Sequence, residues 1–228
     1  GNFRFINDEV INLNGKNKSI HFKNRPSLSF DYLSINCGIE SNYKKITGAN
    51  KFTTPLKPIS ELNFSWLNNE KKINNICVIG GGAAGSEVAL AIRKRLKNKH
   101  NIKIKLFTGI NGLLPNFHKY SKNKIFKALK NSKIEVIAND PVIKVTTSSV
   151  VTMKNFIYKT DKAILATNGI APNWLKKTDL ELCKNGFIIT NKMFQTNFKN
   201  IFASGDIINF NLMNLQKSGV YAVKSGKV

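Results

Sequence analysis

The chain has 228 residues, 42% of them hydrophobic, which is enough for one large or two small domains with buried cores. Its apolar runs are shorter than the ~18 residues that a membrane-spanning helix needs, and polar residues interrupt every apolar stretch near the start, unlike a signal peptide. We therefore predict no transmembrane segment and no signal peptide in this sequence.

The net charge of +23 at pH 7 raises the question of nucleic-acid binding. The 36 basic residues are 32 lysines and 4 arginines, spread along the whole chain. Arginine, rather than lysine, forms the bidentate contacts that recognise phosphates and bases. We expect no nucleic-acid partner, whereas the charge should attract anionic ligands such as dinucleotides at long range.

Three cysteines, Cys37, Cys77 and Cys183, are widely separated in the sequence. They form no CxxC pair and no cluster with histidine at the spacing of metal ligands. This pattern argues against structural disulfides and zinc, and it indicates a reducing, cytoplasmic setting.

The first part of the chain is predicted to be sheet. Residues 3–13 alternate between apolar and polar, 14–17 suit a turn, and 19–23 form the returning strand of a hairpin. Residues 32–37 are typical of a buried strand. His21 alternates with apolar neighbours and is expected to be a solvated strand residue.

Residues 41–58 contain a glycine and two prolines among polar residues and are predicted to be a linker. A short helix is predicted over 59–69, with Ser60 as its N-cap and Trp66 as a packing residue.

The most informative stretch joins a buried-type strand at 76–79 to an amphipathic helix. Gly80, Gly82 and Gly85 lie between them with GxGxxG spacing. The first glycine permits a tight turn, the second lets backbone approach a pyrophosphate, and the third lets the helix pack closely on the strand. The free N–H groups at the helix start then bind phosphate. Dinucleotide binding is the prediction, and a plain strand–helix turn is the alternative.

Alternating elements follow the glycine helix. We predict a strand at 102–107, a basic helix at 117–131, a strand at 134–138, an antiparallel meander at 142–157 and a last core strand at 162–167. The helix residues expected to face inward are Tyr120, Ile125, Phe126 and Leu129. This order predicts an α/β fold with a Rossmann-like, doubly wound parallel sheet and an antiparallel β-meander. Further strands are predicted at 187–190 and 201–206, and a last helix near Gln216.

Four motifs in this order resemble the pyridine-nucleotide-disulfide oxidoreductase superfamily. GGGAAGSE at 80–87 is similar to its NAD(P) fingerprint, and AILATNG at 163–169 is similar to the strand that closes that domain. TNFKNIFASGD at 196–206 is similar to the second FAD motif, and DYLSINCGIE at 31–40 lies where the other closing strand belongs. Members are flavoproteins with two Rossmann-like domains, the NAD(P)H domain being inserted into the FAD domain.

The resemblance implies a domain organisation. Residues 1–66 would be part of the FAD domain, 67–180 the complete NAD(P)-binding domain, and 181–228 the return to the FAD domain. The FAD-binding GxGxxG of the family has no counterpart here, so we expect a fragment that is inactive and binds little FAD by itself, from a parent protein that binds FAD.

The resemblance also carries over site residues by position. The cofactor-binding positions are Gly80, Gly82, Ala83, Ala84, Gly85, Thr108, Asn168, Gly169, Gly205 and Asp206. Glu87 would lie near the nicotinamide and Asp206 would bind the flavin ribityl chain. Cys37 ends a strand that approaches the flavin in the family, and a redox role for it is one alternative beside a role without redox chemistry.

Alternatives remain open for these residues. Glu87 in a first helical turn is favourable without a ligand, and Asp206 suits a turn cap. Cys77 is expected to be structural and Cys183 incidental, and His100 and His118 are expected to be solvated.

Thr108 departs from the family pattern. An acidic residue there ordinarily bonds the adenine ribose. Without it, neither NAD(H) nor NADP(H) is specified, and we expect weak or unselective dinucleotide binding.

The resemblance implies hydride transfer from NAD(P)H to FAD, and from there to a quinone or a small sulfur or selenium acceptor. Several segments (RPSLSFDYLSINCG, PLKPISEL, LFTGINGLLP and LQKSGVYAVKSGKV) are most similar to NADH-dehydrogenase-like flavoproteins linked to selenide, water dikinase. Sulfide:quinone and disulfide oxidoreductases are alternatives, and a non-catalytic dinucleotide-sensing module is an alternative of another class. A peripheral membrane location and a homodimer of the full-length protein stay open.

Overall fold

The computed structural model describes residues 3–58, 73–99, 101–210 and Val223. The chain forms two compact units. The first unit comprises Gly1–Glu40 and Ile170–Val228, and the second unit comprises Ser41–Gly169. The predicted helices at 59–69 and near Gln216, with Ser60 and Trp66, lie outside the described residues. The assignment of domains to FAD and NAD(P) stays a prediction.

Short strands dominate the described residues, together with a few helices. The strands are β1 Val10–Asn14, β2 Ser19–Phe22, β3 Leu28–Ser29, β4 Leu33–Ile35, β5 Glu40–Ser41, β6 Thr53–Pro55, β7 Asn75–Ile79, β8 Lys103–Phe107, β9 Ile134–Ile137, β10 Val142–Val145, β11 Ser149–Thr152, β12 Ile157–Lys159, β13 Lys162–Leu165, β14 Gly169–Ile170, β15 Ile188–Thr190, β16 Ile201–Ala203 and β17 Ile208–Phe210. The α-helices are α1 Ala49–Phe52, α2 Ala83–Arg95 and α3 Lys119–Asn131, and 3-10 helices form at Asn173–Lys177 and Gly205–Ile207.

The second unit is built on a five-stranded parallel sheet with the order β6-β13-β7-β8-β9. The chain runs from β7 through α2 to β8 and through α3 to β9, and later returns through β13 on the other side of β7. The strand order therefore reverses between β7 and β13, which is the switch point of a doubly wound sheet. The predicted α/β fold with a parallel sheet is confirmed.

Alternate side chains of β7 serve two hydrophobic cores. Ile76 and Val78 belong to the core that includes residues of α2 and α3. Cys77 and Ile79 belong to the core beneath the meander of β10, β11 and β12. Because both faces of the strand are covered, its residues are apolar in sequence without alternation.

The prediction of a linker at 41–58 is wrong. This segment supplies α1 and β6, and β6 is the edge strand that pairs in parallel with β13. Thr53 and Thr54 are β-branched and suit a strand, and Pro55 is tolerated because an edge strand has only one partner. Gly48 precedes α1 with a φ of 78°, in the left-handed region. The prolines and polar residues suggest a linker, whereas β6 becomes a strand only by pairing with β13.

Helix α3 is confirmed, but its inward face was predicted only in part. Leu129 is buried and Ile125 packs on the core, whereas Tyr120 is 71% and Phe126 50% exposed. Tyr120 lies nine residues before Leu129, about two and a half turns, and so faces the opposite side of the helix.

The first unit contains the predicted hairpin of β1 and β2, extended by β3. Asp179 fixes the hairpin turn, because its carboxylate accepts the backbone N–H groups of Gly15 at 2.7 Å and Lys16 at 3.1 Å. Phe3 and Phe5 lie outside any strand and are 90% and 81% exposed, so the prediction of a strand there is wrong.

Candidate functional site

The glycine loop between β7 and α2 lies at the carboxyl edge of the parallel sheet, at the switch point. Gly80 has a φ of 129° and donates its N–H to the carbonyl oxygen of Phe107 at 2.9 Å. A Cβ on Gly80 would overlap the backbone carbonyl of Ala166, at the end of β13. Only glycine fits there, because both the conformation and the close approach of β13 exclude a side chain.

Gly82 and Gly85 differ in their surroundings. A Cβ on Gly85 would collide with the carbonyl oxygen of Gly80, so this glycine lets α2 pack against the loop. At Gly82, no described atom lies within 4 Å of the position of a Cβ. The loop thus leaves open space at the second glycine, the position at which the GxGxxG spacing predicts close approach of a pyrophosphate.

The start of α2 has no side-chain cap. Gly82 is the N-cap and provides no side chain to cap the helix, while Ala83 and Ala84 form its first positions. Ser86 donates both its N–H and its hydroxyl to the Gly82 carbonyl, at 3.1 and 2.9 Å. The first amides of α2 and the positive end of the helix dipole can therefore receive a phosphate.

The loop after β8 closes against the glycine loop. Leu114 donates its N–H to the carbonyl oxygen of Gly81 at 2.8 Å, and a Cβ on Gly81 would lie 2.6 Å from Cγ2 of Thr108. Sequence reasoning missed this contact, because the pairing of two distant loops leaves no local pattern.

Thr108 is buried, with 2% exposure. Its hydroxyl donates to the Gly109 carbonyl and accepts from the Asn139 N–H, both at 3.0 Å. Thr108 therefore joins the ends of β8 and β9. The neighbouring Gly109 is exposed, and no described atom lies within 4 Å of the position of a Cβ there.

The segment after β13 borders the same loop. Ala166 donates its N–H to the carbonyl oxygen of Ile79 at 2.8 Å. The hydroxyl oxygen of Thr167 is buried and has no hydrogen-bond partner among the described residues. Asn168 is exposed, and Gly169 begins β14 and is half-buried.

Glu87 is exposed and is the fifth residue of α2. No acidic residue lies in the first turn of this helix. The alternative that Glu87 stabilises a first turn is therefore wrong, since that effect fades beyond the first turn.

The candidate flavin residues lie together at one edge of the first unit. Strands β4 and β16 pair in parallel with Ile35 opposite Ala203, and the N–H of Ser204 donates to the Ile35 carbonyl at 3.0 Å. Cys37 follows β4 by two residues and is exposed, and Asp206 follows β16 by three. Gly205, with a φ of 76°, opens the 3-10 helix that contains Asp206.

Cys77 is fully buried in β7, and burial raises the pKa of its thiol to about 11. This agrees with a structural role. Cys183 is half-buried.

The histidines that the structure describes have local roles. His118 is exposed, as predicted, and it also caps α3 by accepting the N–H of Tyr120 at 3.3 Å. His21 lies in β2 and bonds the Ser27 hydroxyl at 2.8 Å. His100 lies outside the described residues.

The described ranges contain neither a metal-ligand cluster nor a helix suited to span a membrane. No group of three or more His, Cys, Asp or Glu side chains there is placed to hold a metal ion. No helix there is long and apolar enough to cross a membrane.

The family comparison agrees with the motifs. The family described as "Pyridine nucleotide-disulphide oxidoreductase" matches residues 1–226. The chain is 26% identical over 189 residues to the NADH dehydrogenase-like protein YutJ of Bacillus subtilis, covering 79% of this chain and 50% of that protein.

A second relative is the NAD(P)H coenzyme A polysulfide/persulfide reductase of Pyrococcus horikoshii. It is 31% identical over 189 residues, covering 79% of this chain and 41% of that protein. The chain thus spans half or less of the length of these two relatives.

Among solved structures, the FAD-dependent pyridine nucleotide-disulphide oxidoreductase of Desulfovibrio vulgaris superposes with a TM-score of 0.78. The match has 20% identity and covers 96% of this chain and 58% of that one. This likeness shows the fold.

Proposed function

Because the chain belongs to the pyridine nucleotide-disulphide oxidoreductase family, we propose that it is part of an FAD-dependent NAD(P)H oxidoreductase. The observation that carries the proposal is the glycine loop. Gly80 and Gly85 have no room for a side chain, whereas Gly82 opens onto free space at the start of α2. A loop with these properties at the switch point of a parallel sheet suits a dinucleotide pyrophosphate.

We assign roles to this chain's residues on that basis. The backbone amides from Gly82 to Gly85 bind the pyrophosphate, and Asn168 and Gly169 border the same edge. Glu87, exposed on α2, is proposed near the nicotinamide. The dinucleotide and the flavin, when bound, supply the hydride donor and acceptor, and the protein orients them.

The first unit is proposed to contribute part of a flavin site. Gly205 and Asp206 follow β16 at the edge where Cys37 follows β4. A carboxylate at Asp206 suits the hydroxyl groups of a ribityl chain, which are hydrogen-bond donors. We propose Asp206 for that contact and Cys37 as a neighbour of the flavin.

The name of one relative supports a sulfur compound as the electron acceptor. The Pyrococcus horikoshii relative is a polysulfide/persulfide reductase by name, and the Bacillus subtilis relative is NADH dehydrogenase-like. We propose that a persulfide or related sulfur or selenium compound receives the electrons, with a quinone as the competing acceptor. The full-length protein is to be assayed with NADH and each acceptor side by side. Turnover only with quinones would contradict a sulfur acceptor.

One observation favours a second function, a non-catalytic dinucleotide-binding module. The hydroxyl of Thr108 bonds Gly109 and Asn139, and this threonine stands at the position where the family resemblance places the ribose-binding carboxylate. A full-length protein that carries flavin, and whose flavin absorbance NADH bleaches, would contradict this second candidate.

The dinucleotide site is tested with Gly82→Glu. The open space at Gly82 accommodates a side chain without disturbing the fold, and its carboxylate would repel the pyrophosphate. We expect NADH affinity, measured by calorimetry, to fall by about tenfold or more.

The matched control is Ala91→Glu, which adds the same charge at an exposed position farther along α2. It should leave NADH affinity within about twofold, because exposed charges on the outer face are screened. Equal affinity of Gly82→Glu and the wild type would contradict the proposed site.

A further inference from the structure

We propose that the second unit has a second anion-binding site, for a phosphorylated organic molecule of mononucleotide size, at the opposite edge of the sheet from the glycine loop. A cleft of about 680 Å³ lies there, bordered by the second half of α2, the start of β8 and the turn between α3 and β9. We call it the basal cleft and define it by Leu90, Arg93, Lys97, Ile102, Lys103 and Lys133.

The basal cleft is distant from the glycine loop along the strands. Lys103 is the first residue of β8, whereas Phe107, which accepts the Gly80 N–H, is the last. Lys103 and Phe107 are four residues apart along β8, so the two ends of this strand are about 13 Å apart. A ligand in the cleft would not touch the glycine loop, so this proposal does not depend on the proposed function.

Positive charge dominates the walls of the basal cleft. Arg93, Lys94, Lys97, Lys103 and Lys133 line it, together with one carboxylate, Glu135. Glu135 forms an ion pair with Lys105. The four lining lysines have no salt-bridge partner in the parts of the chain that the structure describes. Their charges are therefore available to an anion.

Helix electrostatics explain only part of this cluster. Basic residues in the last turn of a helix are favourable, which accounts for Arg93 and Lys94 in α2. Lys133 follows Ser132, the C-cap of α3, and donates its N–H to the Lys130 carbonyl at 2.9 Å, so its charge also lies at a helix end that it stabilises. Lys103 is the first residue of β8 and belongs to neither helix, so helix electrostatics do not account for its charge in the cleft.

Arg93 is held in place by the backbone. Its Nη2 donates to the Ile102 carbonyl at 2.7 Å and its Nη1 to the Lys99 carbonyl at 3.5 Å. Its Nε is buried and has no partner among the described residues. A guanidinium fixed in this way provides a pre-oriented cation, unlike a mobile surface lysine.

The floor of the basal cleft is apolar. Ile102 and Ile104 are 3% and 1% exposed and line the cleft with Leu90. The volume lies in the range of small-molecule sites, about 300–1,000 Å³, and exceeds what inorganic phosphate fills. An apolar floor with cationic walls suits a base or another apolar group that carries phosphates.

The test measures ATP binding to the full chain by calorimetry. Gly82→Glu serves as the background, because it should weaken phosphate binding at the glycine loop by about tenfold or more and leaves the residues of the basal cleft unchanged. We expect ATP to bind this variant at one site, and tripolyphosphate to bind it more weakly. Absence of ATP binding, or equal binding of tripolyphosphate, would overturn the proposal.

Charge reversal then locates the site. On the same background, Lys97→Glu with Lys133→Glu should weaken ATP binding by about tenfold or more. The matched control is the double variant Lys119→Glu with Lys127→Glu. Both lysines are exposed on α3 and do not line the cleft. This control should weaken ATP binding by about twofold at most.

An equal loss of ATP affinity in the two double variants would show that the net charge of the protein, and not the basal cleft, attracts ATP. That result would overturn the proposal. Melting temperatures and circular dichroism verify that each variant folds. Because NADH binding to the wild type is measured separately, failure at the basal cleft is distinguishable from failure of the dinucleotide site.

Discussion

The carbonyl oxygen of Gly80 occupies the space that a Cβ on Gly85 would need. The first and third glycines of the loop are thus coupled, since the turn at one depends on the absence of a side chain at the other. The second glycine has no such constraint from the described atoms. The three glycines therefore have separable roles: two are required for folding, and the third is the one that the proposed function assigns to the ligand.

This separation predicts different effects on stability. Gly85→Ala should lower the free energy of unfolding by about 1–3 kcal/mol, because the new methyl group forces backbone apart in a packed region. Gly82→Ala should change it by less than about 0.5 kcal/mol, since nothing described lies near and a φ of −78° suits alanine. Urea unfolding followed by circular dichroism measures the free energy of unfolding of both variants. An equal decrease in Gly85→Ala and Gly82→Ala would contradict the separate roles given to these glycines.

Sequence patterns predicted the parts of the fold that local physics determines. The apolar run of β7 and the glycine spacing suffice to predict strand, turn and helix, because burial on both faces and the turn's geometry each leave a signature. Strand β6 left none, since Thr53, Thr54 and Pro55 become a strand only through pairing with β13. Local composition cannot show a partner that lies more than a hundred residues away.

The sequence likewise predicts the local features of the candidate site but not its contacts between distant loops. The glycines were found from their spacing, whereas the packing of Thr108 on Gly81 and the bond from Leu114 depend on how distant loops meet. Thr108 was aligned with the ribose-binding carboxylate, but the engagement of its hydroxyl between Gly109 and Asn139 is a tertiary property.

A substitution at Gly109 should make the proposed dinucleotide site selective for NADH over NADPH. It follows Thr108, is exposed, and has open space at the position of a Cβ. On the proposed function, Gly109→Asp supplies a carboxylate for the ribose 2′-hydroxyl and repels a 2′-phosphate. We expect the ratio of NADH to NADPH affinity to rise by about tenfold. Gly109→Asn, a neutral side chain of the same shape, is the control, and an equal rise in both variants would exclude the charge as the cause.

Cys77 should be chemically inert in the folded chain. Its side chain is buried in β7 and burial raises its pKa to about 11, so the thiol stays protonated near neutral pH. We expect iodoacetamide at pH 8 to leave Cys77 unmodified in buffer and to modify it in urea, as measured by peptide mass spectrometry. Modification in buffer at the rate seen in urea would show that the sheet opens.

Asp161 joins the starts of two neighbouring strands. Its carboxylate accepts the backbone N–H groups of Asn74 at 2.9 Å and Asn75 at 2.8 Å, and its own N–H donates to the Asn75 carbonyl at 2.8 Å. Partial desolvation raises the pKa of this carboxyl, but the hydrogen bonds from Asn74 and Asn75 outweigh it, so the pKa is lowered.

A carboxyl with a lowered pKa stabilises the fold while it is ionised, above its unfolded pKa of about 3.9, and this contribution is lost as the pH falls through the folded value. Asp161→Ala should therefore lower the free energy of unfolding by about 1 kcal/mol at pH 7, a modest figure because the site is exposed to solvent. At pH 3 the difference from the wild type should shrink, as the wild type itself loses the ionised carboxylate.

The control is Asp31→Ala, which removes an exposed carboxyl from the first unit. It should lower the free energy of unfolding at pH 7 by less than Asp161→Ala does. A loss from Asp161→Ala that is the same at both pH values would mean that the ionised carboxylate does not stabilise the strand ends.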